Sequence, residues 1–193
     1  MATLKLALPL LALPLLAACG GQPDRLVVPP APIAAESTPQ RAAFATVELR
    51  DVSLPLHAQE AEVFIQEEDG FIRPQKGLTW ADDPIRKATM DLADALSAMT
   101  TATVAAEPWP FENYPAARME VRFTEFVASR ADQAFHARGQ YFVSDMGGYG
   151  RDRSGRIDVN VPLPEDFGPT EIARATAAAL GEVAREISTR GLR

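Results

Sequence analysis

The sequence predicts an α+β fold: a mainly antiparallel sheet with two helices packed on one face, in a single domain. Three observations carry this. Several segments alternate apolar and polar residues with the period of half-buried strands. Two longer segments repeat apolar residues at helical spacing. Their order is strands, helix, strands, helix, which suits helices covering one side of a sheet.

Taken in order, Leu26-Val27-Val28 reads as a short edge strand that Pro29 and Pro30 would end. In 44–54, Ala45, Val47 and Leu49 share one face, while Thr46, Glu48 and Arg50 share the other, until Pro55 stops the strand. Val63-Phe64-Ile65 is a second strand of this part. Glu68-Asp69-Gly70 is a turn signal, with Phe71-Ile72 returning as a hairpin arm. Asp83 is placed to cap the first helix, with Pro84 at a position that needs no amide hydrogen. Ile85, Ala88, Leu92, Leu96 and Met99 form its apolar stripe, with Arg86, Lys87, Asp91 and Asp94 facing away until the helix stops near Thr100.

Val104-Ala105-Ala106 is a short strand, and Pro108-Trp109-Pro110 is a rigid extended corner. Residues 117–128 alternate through Met119, Val121 and Phe123. Residues 135–143 alternate through Ala137 and Tyr141, and the short gap between them predicts an antiparallel pair. Ile157, Val159 and Val161 mark one more strand beyond a glycine-rich loop. A helix from about Pro169 to Thr189 buries Ile172, Thr176, Ala179, Leu180, Val183 and Ile187, and Gly191 can close it.

The N-terminus carries a separate message. Lys5 gives a short positive start, and Leu6 to Leu16 is an apolar run interrupted only by Pro9 and Pro14. Such a run falls far short of the ~20 residues a membrane-spanning helix needs. It ends in Leu16-Ala17-Ala18-Cys19-Gly20, small residues before a cysteine, as at the cleavage site of a bacterial lipoprotein. The expected organisation is therefore a signal peptide over 1–18, a lipidated Pro/Ala-rich tether over 19–43, and a periplasmic α+β domain over 44–193. Cys19 would bear a diacylglycerol and an N-acyl group. With Gly20 rather than an aspartate after it, the expected home is the outer membrane, periplasmic face.

Cys19 is the chain's one cysteine, so its use for lipid removes disulfides, thiolate metal sites and cysteine catalysis from the folded part. The net charge of −7 argues against a nucleic-acid partner. The two histidines, His57 and His136, are far apart in sequence, and no His, Cys or carboxylate cluster has metal-ligand spacing. His136 sits on the polar side of a strand near Arg138 and Gln140, where solvation is expected.

Candidates for chemistry weaken on inspection. Asp82, Asp83 and Asp145 could serve a hydrolase, but a helix cap beside a proline explains the first two. Gly147 to Arg151 is followed by a strand, whereas a phosphate loop opens a helix. No Gly-x-Ser-x-Gly elbow is present. No catalytic residue, no metal and no cofactor beyond the lipid on Cys19 are expected. Aromatics beside prolines and glycines are the better candidates: Trp109, Phe111, Tyr114, Tyr149 and Arg151 for binding a partner, and Trp80 for the core.

The chain resembles the ABC-type transport auxiliary lipoproteins of the PqiC (paraquat-inducible) kind. The resemblance rests on the lipobox, the strand from Val47 to Leu54-Pro55, the run from Trp80 to Ile85, Leu92 to Leu96 in the first helix, Pro108-Trp109, and a tail of three strands and an alanine-rich helix. Asp24 to Pro29 stands where the family carries an aromatic-rich first strand. The resemblance implies a non-catalytic accessory of an ABC transporter complex and an MCE-domain envelope protein in intermembrane lipid transport, contributing to envelope integrity. A homo-oligomer stays open. The rival within this class is an assembly lipoprotein of another envelope export machine, and the rival outside it is a periplasmic hydrolase.

Overall fold

The computed structural model describes residues 22–32 and 38–193. The signal segment and Cys19 lie outside the described residues. In chain order the elements are β1 (Asp24–Leu26), β2 (Thr46–Leu49), α1 (Leu56–Gln59), β3 (Glu62–Gln66), β4 (Ile72–Trp80), α2 (Pro84–Met99), β5 (Thr103–Ala106), β6 (Ala117–Ser129), β7 (Ala134–Asp145), β8 (Arg153–Pro162) and α3 (Pro169–Glu186). A π-helical turn over Ile187–Gly191 extends α3.

All eight strands join one sheet organised around β6. On one side β6 pairs antiparallel with β7, and β7 antiparallel with β8. Along its other side β2 and β3 lie end to end, both parallel to β6: Leu49 opposes Met119, Ser53 bridges Arg122, and Ile65 opposes Ala128. Beyond them, β5 pairs parallel with β2, β4 antiparallel with β3, and β1 parallel with β4.

The sheet is therefore mixed rather than mainly antiparallel. Pro55 and α1 prevent a hairpin between β2 and β3, so the chain continues along the edge of β6 in the same direction. The long β6–β7–β8 meander matches the expected antiparallel strands, and the expected hairpin arm at Phe71 is extended into the nine-residue β4.

Alternation assigns one face to the core. Met119, Val121 and Phe123 of β6, Phe135, Ala137 and Tyr141 of β7, and Ile157 and Val159 of β8 are buried. They share one cluster with Leu92 and Leu96 of α2 and Leu180 and Val183 of α3. At about 25 cal/mol per Å² of apolar surface removed from water, this cluster is the main source of stability. Asp83 caps α2 as expected, its carboxylate accepting from the Arg86 amide at 2.8 Å. Asp91, expected on the outer side of α2, is instead buried and paired with Lys87 at 2.6 Å.

The stretch before β2 also packs. Val28 and Ala31 are buried, and Pro32 lies against Gly181 of α3, where an added Cβ would meet its carbonyl oxygen at 3.2 Å.

Candidate functional site: an aromatic end of the sheet

Two loops open from the same end of the sheet. The first, 107–116, leads from β5 into the start of β6. The second, 146–152, leaves the end of β7. Ala117 pairs with Asp145, and the Met146 amide donates to the Ala116 carbonyl at 3.0 Å, so strand pairing itself holds the two loops side by side.

The first loop is stiffened by prolines 108, 110 and 115. Trp109 is half-buried, donates its indole N–H to the Asn113 carbonyl at 2.7 Å, and meets Phe111 edge to face at 4.9 Å. Phe111 is 53 % exposed and Tyr114 93 %. Burying aromatic rings normally stabilises a fold, so rings held this far out on a stiffened loop are surface available to a partner.

The second loop turns through Gly148 and Gly150, whose φ values of 73° and 69° strain any residue with a Cβ. Tyr149 is 79 % exposed, and Met146 is exposed as well. The carboxylate of Asp145 is almost fully buried. It accepts from the Gly147 amide at 2.9 Å and from Arg151 Nε at 3.2 Å, and the Asp145 amide donates to Asp152 at 2.8 Å. Burial raises the pKa of Asp145, but the Gly147 and Arg151 hydrogen bonds outweigh it and hold the carboxyl below its usual range. Arg151 and Arg153 both stack on the buried Phe44, at 5.2 and 5.4 Å from its centroid, and Arg151 also reaches Tyr149 at 5.8 Å.

The five sequence-predicted binding residues, Trp109, Phe111, Tyr114, Tyr149 and Arg151, are thus brought to one end of the sheet. The candidate carboxylates are not assembled. Asp82 pairs with Arg86, whose hydrogen bond lowers the Asp82 pKa, and Asp83 is a helix cap. Asp145 lies apart from them at the end of β7 and is spent on the geometry of the loop that follows. His136, expected to be solvated, is only 4 % exposed. Its ring nitrogens lie 2.6 Å from Asn160 Oδ1 and 2.9 Å from Asp132 Oδ2, and Arg138 closes the cluster by reaching Asn160 at 3.0 Å and Glu125 at 2.7 Å. Asn160 of β8, Asp132 of the turn before β7 and Arg138 of β7 itself surround the ring.

One feature gave no sequence signal. An apolar cavity of about 160 Å³ lies between β1, β4, β6, α1 and the facing ends of α2 and α3. Trp80, expected in the core, is half-buried in its wall. Its lining comes from seven separate stretches of chain, so no local motif marks it.

The arrangement is thus an α+β domain with exposed aromatics on two braced loops, and with Asp82, Asp83 and Asp145 committed to an ion pair, a helix cap and loop geometry. The chain is a member of the ABC-type transport auxiliary lipoprotein component family, which matches residues 27–188. None of the curated proteins matches it in sequence. Among solved structures it is similar to a Xanthomonas campestris protein of the DUF330 family, at TM-score 0.68 and 15 % identity, covering 86 % of this chain and 92 % of that one. It is also similar to an uncharacterized protein at TM-score 0.66 and 16 % identity, covering 86 % and 98 %. A PelC dodecamer from Paraburkholderia phytofirmans is more distant, at TM-score 0.43 and 15 % identity, covering 77 % and 94 %. The family is an auxiliary component of ABC-type transport, which places the chain with the cell envelope.

Proposed function

We propose that this chain is a non-catalytic lipoprotein, anchored through acyl groups on Cys19 to the periplasmic face of the outer membrane. There it serves an ABC transporter complex and an MCE-domain envelope protein in moving lipid between membranes, and so supports envelope integrity. The carrying observation is the aromatic end. Phe111, Tyr114 and Tyr149 are held out on loops fixed by prolines, by the Asp145 hydrogen bonds and by the Arg151–Phe44 stack.

Large aromatic side chains supply most of the free energy at protein interfaces. The position of these loops fits a bridging role. β1, the described strand nearest Cys19, joins the sheet through β4 and β3 at the level of the C-terminal half of β6, whereas both loops lie at its N-terminal end. At about 3.3 Å per residue the two levels are roughly 25 Å apart along the strand.

The test is co-purification of the full chain with the MCE-domain protein and the transporter. Phe111→Ala, Tyr114→Ala and Tyr149→Ala together are expected to weaken capture at least tenfold with an unchanged thermal melt. Undiminished capture by the folded triple variant would remove the aromatic end from the interface. A wild-type chain that captures neither protein would remove the transport assignment.

A further inference from the structure

The cavity between β1, β4, β6, α1, α2 and α3 is apolar almost throughout, walled by Phe64, Trp80, Phe126, Phe135, Ile172 and Leu180. Protein interiors are close-packed, so an apolar space of this size within the wall of the fold is unusual. Its volume, about 160 Å³, is close to the ~150 Å³ of an engineered cavity that takes up benzene, which corresponds to about six carbons.

The polar groups of the wall are nearly all committed. Asp82 is paired with Arg86, and Lys87 reaches both oxygens of Asp91 at 2.6 Å. Thr176 donates its hydroxyl to the Ile172 carbonyl at 2.8 Å. His57 differs: its Nε2 is buried and has no hydrogen-bond partner among the described residues. His57 and Phe64, with rings 6.4 Å apart, also line a wider outer groove of about 580 Å³ that runs past Leu56, Pro74 and Lys76, so they form the neck between the two spaces. Burial lowers the His57 pKa and so favours the neutral ring, whose one N–H at Nε2 would be free to donate to a ligand oxygen. A neutral imidazole can exchange one hydrogen bond with a ligand oxygen, and a buried polar atom without a partner is uncommon enough to call for one.

We propose that this cavity is a binding site for one acyl chain, with six to eight carbons inside and the carbonyl or carboxyl oxygen of the ligand at His57. The remainder of a larger amphiphile lies in the outer groove. This goes beyond the transport reading and stands on the cavity alone.

The probe is a series of saturated fatty acids from butanoic to tetradecanoic acid, each kept below its micelle concentration. The readout is the emission of Trp80 in the full chain carrying Cys19→Ser, which leaves it free of acyl groups, and Trp109→Phe, which leaves Trp80 as sole tryptophan. Binding is expected to be saturable and to tighten about fourfold per added CH₂ up to about eight carbons, then to level off. Ala58→Phe and Thr176→Leu, which place bulk at the neck and in the inner wall, should each weaken binding at least tenfold. His57→Phe should abolish the preference for octanoic acid over octane.

Absence of saturable binding by the folded chain would overturn the proposal. So would affinity that climbs evenly to fourteen carbons, because that is adsorption to an open surface. Equal affinity of the His57→Phe chain for octanoic acid would overturn the role of His57. Thermal melts accompany each variant. The break in the chain-length series is read on the unfilled cavity, so it decides the matter even where a filling variant fails to fold.

Discussion

Asp145 shows how a residue can look catalytic in sequence and prove architectural in space. Its carboxylate is buried at the end of β7 and holds Gly147 and Arg151, so its negative charge is spent on shaping the loop that presents Tyr149. Asp145→Ala is therefore expected to weaken capture of the transport partner several-fold through disorder of the loop. The cost in stability should stay near 1–3 kcal/mol, the usual range for losing hydrogen bonds to a charged group. Co-purification alongside thermal melts checks this, and unchanged capture would mean that Tyr149 and Arg151 do not contribute. His136 makes the complementary case. Its alternation position correctly puts it on the polar face, but alternation assigns a face and not a depth. Asn160, Asp132 and Arg138 bury a ring that the pattern leaves in water. His136→Ala should lower stability by about 2 kcal/mol and leave partner capture intact. Asp83, by contrast, is legible because a cap is a local device, with residue, proline and helix start all within four positions.

At the scale of elements, both long helices and every strand with an uninterrupted apolar face could be read directly, because periodicity reports burial. Strand direction could not. β2 and β3 show the same alternation whether β6 runs with them or against them, and only the turn of chain at Pro55 and α1 fixes the parallel pairing. The β6–β7 pair holds another feature outside the reach of a pattern, a bulge between Phe123 and Glu125 opposite Gly139. There the β6 backbone comes so near that a Cβ on residue 139 would stand 2.1 Å from the Arg122 carbonyl oxygen and 2.8 Å from Phe123 Cα. Both are main-chain atoms of the central strand, so neither can move aside as a side chain would. Gly139→Ala should cost about 3 kcal/mol or more, at the top of the range for overpacking. A denaturant melt would measure it, and a neutral result would show that the bulge can slide. The aromatic end was partly legible on the same grounds. Prolines and glycines mark Trp109 to Tyr114 and Tyr149 as loop residues, and strand pairing between Ala117 and Asp145 makes the two loops neighbours.

For the whole molecule, pH and anchoring each give a prediction. Asp69, Asp82, Asp132, Asp145 and Glu171 all sit below the usual carboxylate range: the first three chiefly through hydrogen bonds from Arg73, Arg86 and His136, and Glu171 through backbone amides at the start of α3. The unfolded chain therefore binds more protons in acid than the folded one, and their stabilisation is present above about pH 4 and lost as pH falls through their folded values. Asp91 works the other way, because burial raises its pKa against the pull of Lys87. Five carboxylates and His57, whose pKa burial lowers, against Asp91 alone give a melting temperature that declines slightly as pH falls through the histidine range and drops more steeply below about pH 4. A melting temperature that rises on acidification would reverse the sign. Anchoring is a question of reach. Asp24, where the sheet begins, is five residues on from Cys19, and a fully extended chain covers about 17 Å over that distance. An acyl group on Cys19 would thus hold the domain close to the bilayer, with two or three chains giving little exchange at about 0.8 kcal/mol per buried CH₂. Among the described residues no helix is long and apolar enough to cross a membrane. Cys19→Ser should leave the melt unchanged and either release the chain from the membrane or leave it as uncleaved precursor. Labelling cells with a radioactive fatty acid decides between anchors: label that persists in Cys19→Ser would place the lipid elsewhere. Sucrose-gradient fractionation then tests the membrane. With Gly20 following the modified cysteine, the wild-type chain should band with outer-membrane markers, and banding with the inner membrane would reverse the orientation proposed for the bridge.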